Sequence, residues 1–189
     1  MDLRLFVNRL KGLVSEPRKE FVRINADGKI PKNIIIDFIL PLVIINAVAS
    51  FLGEILFGPA SFTVGSGIVV KNVVFIALVQ TVSVYLSAYL VNELMPLFQS
   101  QKDFNATFRL IAYSFTPIFV TTILAGLLPH FSNIINFMGF YSVVIIWIGC
   151  DELLPQMKDR KQFFVPVAIL ATGIIYLAIR GILGLLLSF

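Results

Sequence analysis

Between Arg109 and Asp151 lie 41 consecutive residues without a single Asp, Glu, Lys or Arg. A helix rises about 1.5 Å per residue, so about 20 apolar residues cross the hydrocarbon core of a bilayer. The run is twice that length and has to turn back on itself. Its natural break is Leu127-Leu128-Pro129-His130, followed by Ser132 and Asn133 as helix starts. Three further apolar stretches flank it. The expected spans are 33–57, 68–94, 109–128, 133–151 and 163–187, with turn chemistry at Gly58-Pro59-Ala60-Ser61 and Gly65-Ser66-Gly67 between the first two. At 58% hydrophobic and 14% charged, with mean hydropathy +0.91, the 189-residue chain has too little polar surface for an ordinary soluble domain. The expected fold is all-α. A polytopic bundle of five transmembrane helices fills 33–189, preceded by short amphipathic interfacial helices in a cytoplasmic segment, 1–32.

The cations set the expected orientation. Eight of the 15 Lys and Arg residues fall in 1–32, Lys102 and Arg109 join the second and third spans, and Lys158, Arg160 and Lys161 join the fourth and fifth. The alternate connections, Gly58–Gly67 and Pro129–Ser132, contain none. By the positive-inside rule the N-terminus lies in the cytoplasm and the C-terminus on the other side, as an odd number of spans requires. The net charge of +4 then faces anionic lipid rather than nucleic acid, because the cations sit beside spans.

Within the first segment, Leu3, Phe6, Val7, Leu10, Leu13 and Val14 recur at three-four spacing, while Arg4, Asn8 and Lys11 fall away from that stripe. This pattern describes a helix lying on the membrane surface with anionic lipids as partners. It equally describes a helix packing on its own domain. Ser15-Glu16-Pro17 breaks and restarts the helix, and Asp27-Gly28 ends the second one, since Gly tolerates the left-handed conformation past a helix end.

Four short motifs resemble the Ypt-interacting (Yip) family of five-span membrane proteins, in its compact prokaryotic form. They are Ser15-Glu16-Pro17 before a basic helix, Phe38-Ile39-Leu40-Pro41-Leu42 opening the first span, Ala112-Tyr113-Ser114-Phe115-Thr116-Pro117 in the third, and Tyr141-Ser142 leading to Ile148-Gly149 in the fourth. The resemblance implies a non-enzymatic membrane protein. In eukaryotic relatives it implies binding of Rab-type GTPases in vesicle traffic. Here only 32 residues precede the first span. The relatives' Asp-Leu-Tyr-Gly-Pro motif is echoed only by Ile55-Leu56-Phe57-Gly58-Pro59, on the opposite side of the membrane. Rab binding is therefore not carried over, and the expected location is a prokaryotic plasma membrane.

The residues themselves offer little chemistry. Cys150 is the lone cysteine and His130 the lone histidine, with no ligand-spaced neighbours, and no nucleophile-base arrangement, phosphate loop or redox centre is present. No enzyme, cofactor or metal is expected. Two polar layers stand out, since ionisable groups in spans face a protein interior or a wet cavity. Glu54, Lys71 and Arg180 share a depth roughly 25–30 Å from the cytoplasmic edge and form one candidate intramembrane cluster. Asp37, Asn92, Glu93, Arg109, Asp151 and Glu152 gather near the cytoplasmic face, where carboxylates at that density suit a cation or proton. Charged span ends that simply touch water, and cations that snorkel to headgroups, account for both layers equally well. Asn46 and Gln80 near mid-membrane are expected to hydrogen-bond between helices, and Pro41 and Pro117 to kink theirs.

Two functions remain in competition: an organiser of bilayer or partner proteins, acting with a membrane-protein partner or as a homo-oligomer, and a small transporter or channel using the charged span ends. A wet path linking the two charged layers would favour transport, and a dry core at Gln80 the organiser. The orientation is testable by itself. A reporter fused after Phe189 that is active only in the cytoplasm should be silent, and an active one would overturn both the orientation and the odd span count.

Overall fold

A computed structural model describes residues 3–57 and 66–186, and every regular element in them is helical. Two short helices come first, α1 (Leu3–Ser15) and α2 (Pro17–Asp27). Pro17 opens α2, where its missing N–H is not needed, and Gly28 ends it at φ 57°. Five long helices follow: α3 (Pro31–Phe57), α4 (Ser66–Leu94), α5 (Phe104–Leu127), α6 (Pro129–Leu153) and α7 (Lys161–Leu186). All five are long and apolar enough to cross a membrane. Their outer surfaces keep large apolar side chains exposed, among them Ile44 and Val48 on α3 and Leu170, Ile174 and Leu177 on α7. That surface belongs against lipid tails.

α5 is the central helix, buried continuously from Ala106 to Phe108 and from Leu110 to Pro117. It starts well before Arg109 because Asp103 caps it, its carboxylate accepting from the Ala106 N–H at 3.0 Å. Arg109 therefore sits inside α5, one turn from its start.

Both expected kinks exist, and each is repaired locally. Pro41 has no N–H for the Asp37 carbonyl, and just before it residues Ile35–Ile39 widen into a π-turn in which Leu40 N–H reaches back to the Ile35 carbonyl. Pro117 likewise leaves the Tyr113 carbonyl without its donor, and α5 bends at Phe115. The Thr116 hydroxyl supplies the bond instead, donating to that carbonyl at 2.6 Å.

α3 and α5 cross at Gly53 and Gly126, so closely that a Cβ on Gly53 would overlap the Gly126 carbonyl. The small residues at four-residue spacing, Ala49 and Gly53, thus serve a contact within the chain. Nearer the middle, Asn46 Nδ2 donates to Gln80 Oε1 at 3.2 Å and Gln80 Nε2 to the Thr122 hydroxyl at 2.7 Å, tying α3, α4 and α5 together. Gly53→Val should force the helices apart and lower stability by about 2 kcal/mol. Gly181→Val, where a Cβ meets nothing within 4 Å, should leave thermal unfolding in detergent unchanged.

Candidate functional site: a two-helix cap on the bundle

The apolar stripe of α1 is divided. Phe6 and Leu13 are buried against the bundle, whereas Leu5, Val7 and Val14 are exposed. α1 and α2 form a cap on one end of the five long helices, α2 lying on α6 and α1 touching α5. Two glycines permit the fit. A side chain at Gly149 of α6 would strike the ring of Phe21, and one at Gly12 would strike the Glu20 carboxylate. Phe21 and Ile24 fill the seam.

At the centre of the cap is Arg9, whose side chain is 7% exposed. Its Nε donates to Glu20 Oε1 at 3.1 Å, one terminal nitrogen to Asp27 and the other to the Tyr113 hydroxyl of α5 at 3.2 Å. The guanidinium also stands 5.5 Å from the centre of the Tyr113 ring, and the rings of Phe6, Phe38 and Tyr113 meet in sequence at tilted angles. Burial opposes the charge on Arg9, but its bonds to Asp27 and Tyr113 outweigh that and hold its pKa above the ordinary value. Beside this hub is a cleft of about 440 Å³ bordered by Arg9, Asp27, Lys29 and Asp37. The π-turn before Pro41 delivers Asp37 and Phe38 to it. Arg9 carries a readable signal, since it lies three residues after Phe6 and four before Leu13, within the buried face itself.

The expected carboxylate layer is dispersed into separate pairs. Asp37 accepts from Lys29 at 2.7 Å, Glu93 from Lys102, and Asp151 from Lys161 at 2.6 Å. Glu152 pairs with Arg18 of α2 at 3.2 Å, and its backbone carbonyl accepts from Asn25. Arg109 turns back on its own helix to the Asn105 carbonyl, and Asn92 is buried with its carboxamide oxygen unpaired. Among the described residues no three metal-ligating side chains converge. Of the other expected cluster, Glu54 belongs to α3 but its side chain lies outside the described residues, while Lys71 and Arg180 are both exposed. Cys150 is buried, and His130 rests edge-on against Phe57.

The arrangement locks a basic, partly apolar platform to the bundle. Breaking it should be costly, because removing one member of a buried pair strands the other. Glu20→Gln should loosen the cap by about 3 kcal/mol, read as lost hydrogen-exchange protection across α1 and α2 with α3–α7 unaffected. Arg9→Met with Glu20→Leu should recover most of that protection, whereas additive losses would contradict the coupling.

Neither a curated protein nor a solved structure matches the chain. A family model, that of the Yip1 domain, matches residues 11–180. That stretch takes in Glu20, Asp27, Tyr113 and nearly all of the five long helices that make this an integral membrane protein. A match over most of the length, on a bundle of this kind, makes the chain a member of the Yip1 domain family.

Proposed function

We propose that the chain is a non-enzymatic organiser of membrane and partner proteins, acting through the α1–α2 cap on the cytoplasmic face of a prokaryotic plasma membrane. The observation that carries this reading is the Arg9 hub. It turns an amphipathic segment, which by itself would be a loose anchor, into a surface of defined shape. Facing away from the bundle, that surface presents Lys11, Lys19 and Arg23 together with exposed Leu5, Val7, Val14 and Val22. Cations beside apolar side chains suit anionic headgroups at the membrane interface. The cleft beside Arg9 offers both charge signs to a membrane-protein partner or a second copy of the chain. Rab-type GTPases are not among the partners proposed.

Transport is the weaker alternative. Beyond Gln80 toward the cap, the middle of the bundle is filled by Leu110, Ile111, Tyr113 and Phe119, none more than 1% exposed. Such a layer separates the two ends of the bundle and supports the organiser.

A full-length Val7→Cys variant labelled with an environment-sensitive fluorophore tests the cap, since Cys150 is buried. In bilayers, brominated phosphatidylglycerol should quench the label more than brominated phosphatidylcholine does, and salt should shrink the difference. Reversing Lys11, Lys19 and Arg23 to Glu should abolish the preference. Equal quenching by the two lipids at low salt would overturn the lipid-facing role of the cap.

A further inference from the structure

On the half of the bundle away from the cap, the helices leave a cavity of about 670 Å³, in the range of small-molecule sites. All five long helices contribute to its wall, with Val79, Phe115, Ile118, Val143 and Ile146 among its apolar residues. Gln80 and Thr122 also border it.

Two of its groups lack what they need. The hydroxyls of Ser142 and Thr172 border the cavity, each residue 7% exposed, and neither has a hydrogen-bond partner among the described residues. A buried hydroxyl without a partner is costly, above all in hydrocarbon, so an occupant that brings polar atoms to this depth is favoured over an alkyl chain alone. At the rim stands Arg180, exposed and in no ion pair among the described residues. It lies eight residues beyond Thr172 on α7, about 12 Å along the axis. Side chains lean toward the N-terminus of their helix, which brings the guanidinium closer to Thr172.

The wall also has an opening. Residues 132–140 of α6 pack on α5 rather than α7, and Gly173 of α7 is exposed, with nothing within 4 Å of the place its Cβ would occupy. An entrance between two helices at membrane depth admits molecules from the bilayer rather than from water.

We propose that this cavity binds an anionic lipid from the leaflet opposite the cap. Its phosphate or carboxylate meets Arg180, its ester oxygens and the water they carry satisfy Ser142 and Thr172, and one chain lies along the apolar wall. The site is independent of the cap and of the function proposed for it.

Native mass spectrometry of the full-length protein in detergent, titrated with phosphatidylglycerol, phosphatidylcholine or dodecanoate, tests the proposal. The wild type should retain phosphatidylglycerol over phosphatidylcholine, and Arg180→Gln should weaken phosphatidylglycerol by about tenfold. Gly173→Phe should fill the open space and weaken every lipid, with thermal unfolding unchanged. Displacement of phosphatidylglycerol by dodecanoate would identify the carboxylate as a sufficient headgroup, and failure to displace it would identify the phosphate. Equal retention of the two phospholipids by the wild type, or full retention by Gly173→Phe, would overturn the site.

Discussion

Hydrocarbon offers no water to a free amide or carbonyl, and the long helices of this chain are shaped by that rule. At Pro41 and Pro117, where a proline removes an N–H, a specific neighbour answers. The π-turn at Ile35–Ile39 widens the helix before Pro41, and the Thr116 hydroxyl takes the Tyr113 carbonyl that Pro117 leaves. Neither repair is passive. The first carries Asp37 and Phe38 into the cap. The second bends the central helix at Phe115, on the wall of the far cavity.

The same intolerance of unpaired polar groups organises the charges. Arg9 is enclosed, and it is kept there by Glu20 and Asp27 of α2 and Tyr113 of α5. Around it further ions form local pairs, such as Lys161 with Asp151 and Arg18 with Glu152. Lys161 also lies 4.6 Å from the centre of the Trp147 ring. Arg160 joins α7 to the end of α4 through the Phe98 carbonyl. Exposed pairs of this kind contribute little stability singly. Together they hold the connections against the cap and leave its outward cations to face lipid or a partner.

The two halves of the bundle consequently differ in character. The cap half is dense, its rings of Phe38, Tyr113, Phe108 and Phe164 all at most 2% exposed. The far half is looser, with a cavity bordered by orphan hydroxyls.

How much of this was legible in advance follows from what a linear sequence encodes. Depth is linear. The uncharged run from Leu110 to Cys150 and the grouping of cations outside the apolar stretches determined a bundle of five membrane-length helices, because burying charge in lipid is so unfavourable. Local chemistry was equally readable, as in the Gly28 stop, the Pro41 and Pro117 breaks and the bonding of Asn46 to Gln80. Rotation about each helix axis is not linear. In a membrane helix nearly every face is apolar, so periodicity does not reveal which face meets a neighbour. Only tertiary structure turned Arg9 inward onto Glu20 and gave Asp37, Glu93, Asp151 and Glu152 separate cations. It alone set Gly53 against Gly126 and gathered Ser142, Thr172 and Arg180 around one cavity.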